Sequence, residues 1–138
     1  MTPTVTTGRA TAREAWTRRV TTGSRWVAAA LTLVMAVYFV TSDAIRAGNP
    51  FLLPDAVLTL LLAGATVVRG RLAAPAMIFA FAWAAAVWTV SLCTYATRGA
   101  FAEGANHIAL IVPCVAAAAA LAITGWPSPA GPDSARRP

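Results

Sequence analysis

Apolar residues in this chain fall into four long blocks, at residues 26–41, 51–68, 72–95 and 108–126, and polar residues gather between them. The few charges inside the blocks lie close to their ends. A helix of roughly 20 apolar residues crosses a hydrocarbon core of about 30 Å at 1.5 Å per residue. Lipid offers the backbone no hydrogen bonds, so each block must satisfy its own N–H and C=O groups, as a helix does. The pattern predicts an all-α fold, an integral membrane four-helix bundle made of two antiparallel helical hairpins. Residues 1–25 read as a basic, partly disordered cytoplasmic leader, 26–126 as the membrane domain and 127–138 as a disordered, proline-rich cytoplasmic tail.

The boundaries have local causes. Gly48-Asn49-Pro50 ends the first helix, because Gly closes helices at little cost and Pro biases the residue before it away from helical angles. Pro54 suits the first turn of the second helix, where its missing N–H costs nothing. Asp55 beside it meets the positive end of the helix dipole. Arg69-Gly70-Arg71 is a tight turn joining the second and third helices as a hairpin. Ala76, Ala80 and Ala84 recur every four residues on the third helix, and Ala116 to Ala120 smooth the fourth, as helix contacts in membranes require. Pro113 lies inside the fourth helix and removes the bond to Ala109. In the leader, residues 1–8 have no apolar period. Ala12, Trp16 and Val20 are spaced by four among arginines, which fits either an interfacial helix or an unstructured basic segment.

Composition strengthens the membrane reading. Apolar residues make up 58% of the chain and charged residues 12%, against roughly 45–50% and 25% in soluble domains. All eleven basic residues are arginine, and they alternate in number from side to side. Arg9, Arg13, Arg18, Arg19, Arg25, Arg69, Arg71, Arg136 and Arg137 fall on one side; Arg46 and Arg98 fall on the other. The positive-inside rule then places both termini in the cytoplasm, an N-in, C-in multi-pass protein of the cytoplasmic membrane. The net charge of +6 is read as this topology signal, with no aromatic-interleaved basic patch for nucleic acid. Thr17-Arg18-Arg19 resembles a twin-arginine export signal, but the polar Val20-Thr21-Thr22 that follows argues for a retained first helix.

The bilayer centre is empty of ionisable groups, which are the usual mark of an ion or proton path. The four-helix count invites comparison with the small multidrug resistance transporters. Those rely on a carboxylate in the first helix, and residues 26–41 hold none, so the resemblance fails. One histidine cannot supply a bis-histidine haem site, and no cofactor or metal is expected. Cys93 and Cys114 read as buried free thiols.

The polar groups that remain collect on the outer side: Asp43, Arg46, Asn49, Asp55, Tyr95, Arg98, Glu103, Asn106 and His107. They form loop pairs such as Asp43 with Arg46 and Glu103 with Arg98, or they converge on a polar mouth. In the second case Asp43, Asp55 and His107 are candidate catalytic groups, and Arg46, Asn49, Glu103 and Asn106 are candidate binding groups. Three functions follow. The leading one is a non-catalytic accessory or assembly subunit, acting by self-association or contact with other membrane subunits through its alanine-lined faces. The second is a binder of lipids or hydrophobic small molecules, part of a transport system, with an outer polar mouth. The third is a membrane-embedded enzyme on an apolar substrate. Membrane lipids are partners in all three.

Overall fold

A computed structural model describes residues 6–42, 45–46 and 48–125. Helix α1 spans Thr6–Thr41, α2 Leu52–Val67, α3 Ala73–Thr97, the short α4 Phe101–Gly104, and α5 Asn106–Gly125. A 3-10 turn, Gly70–Leu72, precedes α3, and the described residues contain no strand. Three stretches, Ala12–Thr41, Gly70–Thr97 and Asn106–Gly125, are long and apolar enough to cross a membrane. The fourth, α2, is equally apolar but has 16 residues, about 24 Å of helix.

The first helix differs most from the expectation. It starts at Thr6 and runs unbroken for 36 residues, so the span expected from residue 26 is the second half of a longer rod. Ala, Arg and Glu in the leader are good helix formers, and extending a formed helix costs far less than nucleating a new one. The hydroxyls of Thr17 and Thr21 donate to the carbonyls of Arg13 and Thr17 one turn back, at 3.0 and 2.9 Å, and so spend their polarity within the helix.

Four helices pack in a ring: α1 on α2, α2 on α3, α3 on α5 and α5 on α1, with the α3–α5 contact the most extensive. Small residues make this approach close. Ala28, Ala80 and Ala84 are buried, beside the fully buried Leu58, Leu62, Met77, Phe81, Cys114 and Leu121. Outward, Leu33, Val40, Leu53, Leu60 and Ile123 stand exposed. Apolar exposure on this scale is a liability in water and costs nothing against lipid tails.

Two ends of the ring are distinct. At one, the guanidinium Nη2 of Arg25 donates to the Val68 carbonyl at 2.7 Å, tying α1 to the C-terminal end of α2. Helix C-terminal carbonyls lack intrahelical donors, and a cation there also answers the dipole. At the other end the last turns of α1 and α3 meet the first turns of α2 and α5. Successive long helices therefore run in opposite directions.

The α3–α5 connection is built at this second end. Gly99, at φ +71°, closes α3; its N–H donates to the Ala96 carbonyl at 3.1 Å and that of Ala100 to Tyr95 at 3.0 Å. This is the paired bonding of a Schellman motif, which needs the left-handed residue that Gly supplies. The short α4 then folds back over Tyr95. A Cβ on Gly104 would sit 2.7 Å from the Cβ of Tyr95, so only glycine allows that approach.

Candidate functional site

The second end of the ring encloses a cavity of about 310 Å³. Val34, Met35 and Tyr38 come from α1, Phe51 and Asp55 from the start of α2. Trp88, Ser91, Thr94 and Tyr95 come from the last three turns of α3. Arg98, Glu103, Asn106, His107 and Leu110 close it from the connection and the start of α5. The lower wall is apolar and aromatic; the rim is charged.

Asp55 sits in the first turn of α2, where the chain must turn inward after Pro50. Its exposure is 7%, and its carboxylate makes no hydrogen bond among the described residues. His107 lines the same cavity from the start of α5. The histidine is held from behind: Nδ1 lies 2.9 Å from the Gly104 carbonyl. A carbonyl only accepts, so Nδ1 carries the proton and, in the neutral ring, Nε2 is left as an acceptor. Tyr95 leans on the other side, with ring centroids 5.7 Å apart.

Ser91 is a site residue that the sequence did not single out. Thr32, Thr59, Thr66 and Thr89 bond back to their own helices at 2.6 to 2.8 Å, as expected of hydroxyls in lipid. Ser91 does not: 8% exposed, its hydroxyl makes no hydrogen bond among the described residues. Tyr38 and Thr94 were also missed as cavity residues. The available signal was register: Trp88, Ser91 and Tyr95 fall at helical spacing on one face of α3.

The outer polar set is therefore divided. Asp55, Glu103, Asn106 and His107 line one cavity together with Arg98 and Tyr95. Arg46 and Asn49 do not line it. Asn49 instead shapes the entry to α2, its Oδ1 accepting the Phe51 N–H at 3.0 Å. Asp43 lies outside the described residues. No ion pair joins Glu103 to Arg98, so the expected loop clasp is replaced by two exposed charges of opposite sign on one rim. Among the described residues no three His, Cys, Asp or Glu side chains come together to hold a metal ion. Cys114 is buried in the core as expected, whereas Cys93 is exposed; both are free thiols.

Outside the ring, a second cavity of about 390 Å³ runs between α2 and α3. It is almost wholly apolar, lined by Pro50, Phe51, Pro54, Trp83, Ala86, Val87 and Val90. Phe51 belongs to both walls and is, among the described residues, the one the two cavities share. Comparison with family models, with curated proteins and with solved structures finds no match to this chain.

Proposed function

We propose that this chain is a multi-pass protein of the cytoplasmic membrane that binds a lipid or hydrophobic small molecule, as a transport component, through a polar mouth on its outer side. Four crossing helices, α2 the shortest among them, put both termini in the cytoplasm. The distribution of arginines supports that orientation, since among the described residues Arg25, Arg69 and Arg71 lie at the end opposite the cavity and Arg46 and Arg98 on the cavity side.

One observation carries the reading. Asp55 and Ser91 are more than nine-tenths buried, face the same cavity, and spend no side-chain hydrogen bond on the fold. Their oxygens are not sealed in the fold: among the described residues the one buried side-chain polar atom without a partner is Arg25 Nε, so Asp55 and Ser91 present open polar atoms to the cavity. Two such groups in one cavity fit a bound ligand or water better than they fit packing. The assembly reading has lost part of its basis, because Ala80, Ala84 and Ala117 are used inside the chain. An enzymatic reading draws on the same cavity, with His107 Nε2 as base and Asp55 beside it.

Native mass spectrometry of protein released from its own membrane tests this. The expected spectrum carries an added small-molecule mass, at least tenfold depleted in folded Asp55→Ala and His107→Ala variants. Protein that carries no added mass, or the same mass in both variants, contradicts it.

A further inference from the structure

The two cavities are neighbours across a single side chain, and their chemistries are opposite. On one side of Phe51 lie carboxylates, a guanidinium and a hydroxyl; on the other lies a groove without a charged residue. A ligand that fills only the polar cavity has no use for the groove. A ligand with both characters does.

Resting on the pocket reading above, we propose that the occupant is an ethanolamine phospholipid, its head in the polar cavity and one acyl chain in the groove beyond Phe51. The charges of the cavity match a zwitterionic head. Asp55 and Glu103 answer an ammonium, and Arg98 on the same rim answers a phosphate. Tyr38 and Trp88 also line this cavity, and aromatic rings attract cations. The unspent groups narrow the head further. The Asp55 carboxylate and the Ser91 oxygen are acceptors seeking donors, and a primary ammonium brings three N–H groups where a trimethylammonium brings none.

The groove selects the rest of the molecule. It lies between α2 and α3, open on the outside of the ring, the side that faces lipid tails in a helix bundle that spans a bilayer. Pro50 and Pro54 hold its upper wall rigid, and the Asn49 side chain fixes the Phe51 backbone between the two cavities. The polar cavity is walled by the ends of the spanning helices, where phospholipid heads lie if those helices cross the bilayer, so head and chain reach their places without leaving the leaflet.

The test uses the full chain in nanodiscs of phosphatidylglycerol and phosphatidylcholine containing a minor share of phosphatidylethanolamine, released into native mass spectrometry. The expected result is retained phosphatidylethanolamine, enriched at least tenfold over its share of the disc. The enrichment is lost in Asp55→Asn, which weakens the head site, and in Ala86→Trp, which fills the groove from an exposed position. Val90→Trp fills the same groove and serves if Ala86→Trp does not fold. Enrichment lost in Asp55→Asn but kept in the folded groove variant overturns the proposal and leaves the pocket reading standing. So does a different small molecule retained through Asp55. A dimer that Ala86→Trp dissolves also overturns it, since the groove then holds a second copy. Retention of no molecule through Asp55 overturns both.

Discussion

Gly104 is the residue on which the site turns. Its missing Cβ lets α4 fold against Tyr95, and its carbonyl holds the Nδ1–H of His107. Gly104→Ala forces a Cβ to 2.7 Å from Tyr95, and an overpacking of this kind costs about 1–3 kcal/mol. Thermal unfolding in nanodiscs is expected to show a lower midpoint together with lost ligand retention. Gly64→Ala is the matched control: nothing lies within 4 Å of its Cβ, and Ala in a helix is favoured over Gly by about 1 kcal/mol. Its midpoint should be equal or higher. A Gly104→Ala protein as stable as wild type contradicts the packing described. The importance of Gly104 was not legible in the sequence. The chain has nine glycines, and nothing local marks the one that Tyr95 approaches from nine residues earlier. Asp55 and His107 were legible as candidates, because charged residues in so apolar a chain are few.

The elements were legible wherever apolar length decides them, and less so where an end depends on a distant partner. The third and fourth blocks agree with α3 and α5 to within two residues, and Gly70 sits in the expected turn. The leader was not legible as helix, since its pattern is weak and its helicity follows from the rod it joins. Also hidden was the contact that ends α2: Arg25 lies 43 residues from Val68, and in sequence it reads only as a topology signal. Arg25→Ala removes a charge-assisted hydrogen bond from a helix C-terminus, worth about 1.5–3 kcal/mol. The unfolding midpoint should fall, and Arg25→Lys should recover part of the loss; an unchanged midpoint in Arg25→Ala shows that α2 ends without help. The alanine faces separate in the same assay. Ala84 is fully buried and Ala116 exposed, so Ala84→Leu should destabilise by about 1–3 kcal/mol and Ala116→Leu should be close to neutral. The reverse order would mean that the exposed face of α5 is the covered one.

At the scale of the whole molecule, one end of the ring is tied and the other is open. Arg25 and the Gly70 turn draw α1, α2 and α3 together at the first end, while at the second four helix ends surround a cavity instead of a core. The sequence set the remaining polar groups on the side away from most arginines, and at the second end several of them line one cavity. Which of those groups share a cavity is a three-dimensional fact. It depends on helix rotation, and an error of one residue turns a helical side chain by about 100°. Arg46 and Asn49 therefore looked like equals of Asp55 and are not.

The central claim is that Ser91, buried among helices, faces water through an outward-opening cavity. Cysteine accessibility in intact cells measures this directly, in a Cys93→Ala, Cys114→Ala background. Ser91→Cys is expected to react with a membrane-impermeant methanethiosulfonate added from outside, and added phosphatidylethanolamine should slow the reaction. Thr89→Cys, two residues away and exposed outside the cavity, is expected to stay inert if that face meets lipid, because thiolates do not form in hydrocarbon. A Ser91→Cys protein that is folded yet inert from outside, or reactive only from the cytoplasmic side, would contradict the account.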